Sequence, residues 1–445
     1  MPPSQGAKAP INAPVHGGRK ATQRERLLKG MVAAASRDGY AGASVSAVIA
    51  EAGVSRPTFY DYFEDRDDCF VATVSEVHAR LLERVREEIA QEPPEQALAA
   101  AIRATLSFAS AQPGEARFLM KESLAGGAQA LDARDRGIAQ TADAVEEAFA
   151  KADANVAVPD VPVIAVLGAL HRLLASRLRR GERALGGLER DLLDWVASYE
   201  RGAQEQRWRV LRPLPAPERS PYLAPTALRP PPAIGRGRPR LSEEEVAEIR
   251  RQRIMFATSQ VVQQRGYTAA TVAEITSVAG VDGRAFYRLF ADKQEAFSAI
   301  HELGFQYLMA ATAGAFFAGE SWPERIWEAF RAAAQSIDEA PALAHTAFVE
   351  AYAVGPRGIQ RVEDSHIAFT IFLQEGYRYR TDRGTPPSRL ALEAIITTIF
   401  EIVYLQARAS AKPKTARLLA HFVQLCLTPF VGAWEADALI DRELG

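Results

Sequence analysis

RDGYAGASVSAVIAEAGVSRPTFYDYFEDRDDCF, residues 37–70, decides the fold because the chain writes it twice. The segment QRGYTAATVAEITSVAGVDGRAFYRLFADKQEAF, residues 264–297, lies under it without a gap at a constant offset of 227 residues. Gly39 coincides with Gly266, Ala52-Gly53-Val54 with Ala279-Gly280-Val281, Phe59-Tyr60 with Phe286-Tyr287, and Phe63 with Phe290. A period this long marks a duplicated domain, since solenoid repeats run only about 20–50 residues.

Within the first copy, Leu27, Leu28, Met31, Val32 and Ala35 give one apolar face to a helix over about residues 22–38, which Gly39 stops. Ser44 caps a short helix ending near Ala52, Gly53 makes the turn, Ser55 caps a third helix through Tyr62, and Asp65 begins a fourth. Two short helices about a glycine turn form a helix-turn-helix, whose second helix enters the DNA major groove. The second copy starts on a capping box, Ser242 to Glu245, before a helix carrying Ile249, Ile254, Val261 and Val262. The residues after each head read as helix upon helix with few strand signals, so the predicted class is all-α.

Between the copies, residues 212–240 hold nine prolines. Proline removes backbone donors and fixes its own φ, so this linker is expected to be an extended, semi-rigid tether that leaves the modules free to lie side by side. The division predicted is an arm over 1–18, a first head over 19–78, a first body over 79–211, the linker, a second head over 241–301 and a second body over 302–445.

The spacing Thr-x-x-x-Ile-x-x-x-Ala-Gly-Val-Ser-x-x-Thr-Phe-Tyr-x-Tyr-Phe, matched by Ser44 to Phe63 and more loosely by Thr271 to Phe290, resembles the DNA-binding signature of TetR-like regulators. The resemblance implies a three-helix DNA-binding head on a helical body that dimerises and binds a small effector, with repression as the outcome. Ser123 to Arg134 and Val349 to Arg361 also resemble the middle of such bodies.

Phe59 and Phe63 are needed for the core of the first head, which leaves Arg56, Thr58, Tyr60 and Asp61 free on its recognition helix. The resemblance implies that Tyr60 donates to a phosphate and that Arg56 and Thr58 approach bases or backbone. It puts Arg66 and its counterpart Lys293 where the family carries a phosphate-binding lysine. Ser44, Ser55 and Thr271 are counted with this surface, as are Arg284, Tyr287 and Arg288 of the second head. There Asp282 and Gly283 replace Ser55 and Arg56, and Gly283 costs roughly 1 kcal/mol of helix propensity. The second head is therefore expected to read a different sequence, or to read weakly. Arg236, Arg238 and Arg240, in Gly235-Arg-Gly-Arg-Pro-Arg, resemble the core of an AT-hook that enters a narrow minor groove; Arg19 and Lys20 are a weaker version.

By resemblance, the last helices of each body, 161–180 with 188–199 and 388–409 with 415–434, form a four-helix dimer interface. With two such pairs in one chain, an intramolecular pseudo-dimer on an asymmetric operator is expected, with pairing between chains as the rival. Aromatic stripes at helical spacing are usually core. Effector pockets of the family nonetheless lie among these helices, which singles out Phe305, Trp327, His345, Phe348, Tyr352 and Phe369 in the second body, beside a polar Glu350. Phe108, Phe118, Met120 and His171 are their candidates in the first, and an apolar ligand suits such a site.

The composition, 48% hydrophobic and 24% charged, is that of a globular protein, and a net charge of −2 requires any DNA surface to be local. Cys69 and Cys426 are the only cysteines, which excludes a disulfide framework or a cysteine metal cluster and fits a reducing cytoplasm. The most apolar runs, 161–170 and 395–405, are shorter than a membrane span, and Glu401 interrupts the second. No nucleophile elbow, phosphate loop or histidine cluster is present, so neither an enzyme nor a cofactor is expected. The rival reading within the same class is that only the first head binds DNA and the second module serves dimerisation or sensing.

Overall fold

The computed structural model describes residues 17–182, 185–223, 229–233, 241–380 and 385–445, without the side chains of 17–21 and 356. The arginines of the AT-hook-like segment, Arg236, Arg238 and Arg240, and the side chains of Arg19 and Lys20 lie outside the described residues.

The first module opens with α1 (Gly17–Gly42), bent at Gly39, where φ is 75°. Then come α2 (Val45–Ala52) and α3 (Arg56–Tyr60). Gly53 sits between them at φ 60° and ψ 41°, a left-handed conformation that favours glycine. The Arg26 guanidinium donates to the Gly53 carbonyl at 2.8 Å and clasps the turn. The third helix ends two residues before expectation, at Tyr60, because Asp61 and Tyr62 turn the chain towards α4 (Arg66–Gln91). The first body adds α5 (Ala97–Ala111), α6 (Pro113–Met120), α7 (Gly127–Phe149), α8 (Val163–Arg179) and α9 (Glu189–Ala197).

The second module repeats the head with α10 (Glu243–Arg265), α11 (Val272–Ala279) and α12 (Gly283–Leu289). Gly280 takes the place of Gly53 at φ 66°, and Arg253, the counterpart of Arg26, donates to the Ala279 carbonyl at 2.8 Å, one residue before the turn glycine. The second body comprises α13 (Lys293–Phe316), α14 (Trp322–Glu339), α15 (Pro341–Phe348), α16 (Pro356–Phe369), α17 (Arg389–Ala409), α18 (Leu419–Val431) and α19 (Ala433–Leu444). The predicted helix over 415–434 is thus divided, since Gly432 at φ 85° separates α18 from α19. The chain is all-α; the strands among the described residues are a two-residue ladder, Val158–Pro159 against Glu200–Arg201.

The bodies share one apolar core, in which α8 packs along α17. Across this seam the Glu401 carboxylate of α17 accepts from Arg134 of α7 at 3.2 Å and from Arg172 of α8. All three side chains are buried, and Gly168 makes the room, because a Cβ there would collide with Glu401. Burial alone would push the Glu401 carboxyl up, but the two guanidiniums outweigh it and hold it below the usual carboxylate range. Tyr404 donates to Asp135 at 2.9 Å, and Arg177 donates to Glu393 at 2.7 Å. Further along, Tyr199 donates to the Leu425 carbonyl at 2.7 Å.

The linker's first half does not hang free. Just before it, Trp208 is buried and donates to Asp437 at 3.0 Å; within it, Leu214 N–H donates to the Arg417 carbonyl at 2.8 Å and Ser220 N–H donates to Gln335 at 2.8 Å. The segment is extended, as its prolines require, but docked on the second body. Helix α17 alone among the described residues is long and apolar enough to cross a membrane, with 21 residues where its apolar run suggested fewer, and most of it is buried within the fold.

Candidate nucleic-acid interface and effector cavity

Both heads expose the same small surface. On α3 the buried Phe59 leaves Tyr60 outside at 51% exposure, with the two rings edge to face at 5.3 Å. On α12 the buried Phe286 does the same for Tyr287, at 62% exposure and again 5.3 Å. Ser44 and Ser55 are exposed caps, accepting from the N–H groups of Ala47 and Thr58 at 3.2 and 3.3 Å, so each also holds its helix. Arg56 is exposed and donates to Ser46 at 2.8 Å, while Thr58 is half-buried, its hydroxyl 2.8 Å from that of Ser55. In the second head Thr271 caps α11 with Glu274 in a capping box. Asp282 caps α12 at 2.7 Å from the Ala285 N–H, so the helix forms in spite of Gly283. Arg284 and Arg288 are exposed on it without an ion pair among the described residues. This recognition helix is therefore the more cationic of the two.

Arg66 and Lys293 are engaged inward. Lys293 donates to the carbonyls of Tyr267 and Ala270 at 2.6 and 2.8 Å, and burial lowers its pKa. Arg66 donates to the Tyr40 hydroxyl at 2.7 Å and pairs with Asp67 at 2.6 Å. Each fastens the start of a long helix to the glycine junction after the first helix of its head, and a phosphate would compete with those bonds.

A second pair of duplicated contacts joins each head to its own body. The Tyr40 N–H, just after the bend at Gly39, donates to Glu122 at 3.0 Å; the Tyr267 N–H, just after Gly266, donates to Glu350 at 2.8 Å. Sequence reasoning saw Glu350 only as a polar neighbour of a pocket and missed Glu122. The signal was present, since the two glutamates stand 228 residues apart, close to the offset of the repeat.

The second body holds a predominantly apolar cavity that is open to solvent at its mouth. It lies between α13, α14, α15 and α16, with Phe305, Leu308, Ile337, Ala344, Phe348 and Phe400 among its walls and His301, Ser336 and Ser365 as polar groups. Burial, with Arg361 nearby, lowers the His301 pKa to about 4, so its imidazole is neutral near pH 7. Of the aromatics singled out, Phe305 and Phe348 line this cavity. Phe369 packs behind it on Phe305 and Phe400, and Trp327 is core. Tyr352 lies instead at the seam, 4.7 Å from the Arg172 guanidinium. His345 is on the outer side of α15, 3.5 Å from Glu350. In the first body Phe108, Phe118 and Met120 are fully buried core, Phe118 against Phe70 at 4.8 Å, and His171 stacks on His78 at 5.5 Å.

A family model described as bacterial regulatory proteins, tetR family, matches the chain twice, over residues 27–73 and 254–300. Similar solved structures include the fatty acid degradation regulator FadR from Bacillus halodurans, 16% identical, over 39% of this chain and 96% of that one, with a TM-score of 0.34. The FadR regulator from Bacillus subtilis, solved in complex with stearoyl-CoA, gives the same four values. A tetR-family regulatory protein from Rhodococcus RHA1 is 22% identical over 41% of this chain and 98% of that one, with a TM-score of 0.34. No match is found among curated proteins.

Proposed function

Because this chain belongs to the TetR family of DNA-binding transcription regulators, with one head of the family in each half, we propose that it works as a single-chain pseudo-dimer on an asymmetric operator. The observation that carries this reading is the buried seam between α8 and α17, closed by Glu401 with Arg134 and Arg172. Two heads on one chain avoid the cost of associating two molecules. Their recognition helices carry different side chains, Arg56 and Thr58 against Arg284 and Arg288, so their half-sites differ. The protein acts in the cytoplasm as a repressor, holding DNA through Tyr60 and Tyr287 on phosphates and these arginines on base edges or backbone. The mass of the operator complex tests this: one 48.5 kDa chain per operator is expected. Two chains per operator would mean that the bodies pair between molecules.

The effector of this reading is a small apolar molecule in the cavity of the second body. Helix α13 runs from the second head directly into the cavity wall, and α15, which forms another wall, leads through Glu350 to the Tyr267 N–H. A ligand that spreads α13 from α15 therefore acts on the bend at Gly266 and re-aims the second head. Filling the cavity with Ala344→Trp is expected to weaken binding of the apolar dye Nile red by about tenfold or more. Dye binding unaffected by the substitution would remove the cavity as the effector site.

A further inference from the structure

A second, solvent-open cavity lies at the seam itself. Arg172 of the first body forms part of its wall, although the side chain is 6% exposed and deep in the fold. That guanidinium is only partly satisfied. Its Nε donates to Glu401, and the rings of Tyr352 and Tyr404 stand 4.7 Å from it, but Nη2 has no hydrogen-bond partner among the described residues. A buried charged donor left without an acceptor is unfavourable, and the cavity is where an acceptor fits.

The rest of the wall says what kind. Lys121 and Arg180 add positive charge, Lys121 while paired with Glu122 at 2.7 Å and Arg180 in a looser ion pair with Glu363 at 3.8 Å. Ser176 and Thr397 supply hydroxyls, and Leu124, Leu173 and Ile359 an apolar side. Glu363 and Glu393 also line the cavity, each already held, by Arg179 and by Arg177. A dianion would meet those two carboxylates at close range, whereas a monoanion with an apolar portion satisfies both the open N–H and the apolar wall.

We propose that this cavity binds a small organic monocarboxylate, whose carboxylate accepts from Arg172 Nη2 and whose apolar part lies on Leu173 and Ile359. The ligand touches both modules, with Tyr352, His366 and Thr397 coming from the second. Occupancy is thereby coupled to how the modules pack. The site is distinct from the apolar cavity of the second body and does not rest on the assignment of that cavity.

Titration of the full chain with benzoate, and with benzamide as its uncharged match, tests the proposal. Benzoate is expected to bind once per chain and at least about tenfold more tightly than benzamide. Arg180→Gln, at the partly exposed rim, is expected to weaken benzoate about fivefold or more with unchanged unfolding behaviour in its absence. Arg172→Gln is expected to abolish binding, and the rim variant keeps the test valid if Arg172→Gln does not fold. Ala344→Trp is expected to leave benzoate unaffected. No benzoate binding up to about 10 mM, equal binding of benzamide, indifference to Arg180→Gln, or loss in Ala344→Trp would each overturn the proposal. Operator binding by the unmodified chain is measured alongside, so failure of this site is distinguished from failure of the regulator reading.

Discussion

Glu401→Gln is expected to lower the folding stability of the chain by about 3–5 kcal/mol, the cost of removing one member of a buried ionic set. Glu401 is 1% exposed and is the carboxylate between two guanidiniums, Arg134 at 0% and Arg172 at 6% exposure. The amide keeps the shape and an acceptor but removes the negative charge, so two buried cations face each other with only Asp135 close to one of them, 2.9 Å from Arg134. Urea unfolding measures the loss. The double variant Arg172→Met with Glu401→Leu should cost less than the sum of its single changes, because charge and partner leave together. A loss below about 1 kcal/mol would mean that both groups keep access to water and that the bodies do not meet along α8 and α17.

Changing Arg284 and Tyr287 together to alanine is expected to weaken operator binding by about 10²- to 10⁴-fold, the advantage that a second tethered module contributes at its effective concentration. Both side chains are exposed on α12, and neither takes part in the core of the head, which Phe286 and Phe290 form, so the fold should be unaffected. The matching Arg56 and Tyr60 pair in the first head should cost as much if both heads engage DNA. Affinities measured at several salt concentrations decide it. A loss confined to the first pair, with an unchanged salt slope for the second, would leave the second module as a sensor and not a reader.

The heads were legible because their signals are local. Ser44, Ser55, Thr271 and Asp282 each cap the next helix, and Gly53 and Gly280 take the left-handed conformation that their turns need. A cap or a turn is decided by a few adjacent residues, so one sequence suffices to read it. Which aromatics line the second body's cavity was half legible, for the opposite reason. Helical spacing puts Phe305, Trp327, Phe348 and Phe369 on inward faces, but whether an inward ring meets an empty volume or another ring depends on the neighbouring helix. Phe305 and Phe348 met the cavity, and Trp327 and Phe369 met other side chains.

Glu401 shows the division most clearly. In the sequence it is a charge interrupting an apolar run; in the fold its partners Arg134 and Arg172 come from 267 and 229 residues away. Internal repetition, periodicity and capping within a few turns of chain were enough to establish the duplication, the two helix-turn-helix heads with their exposed tyrosines, and the all-α class. Which faces meet was settled only in three dimensions: the seam between the bodies, the docking of the linker, the inward ties of Arg66 and Lys293, and the two cavities. Burial and charge pairing join residues far apart in the chain, and local spacing does not encode them.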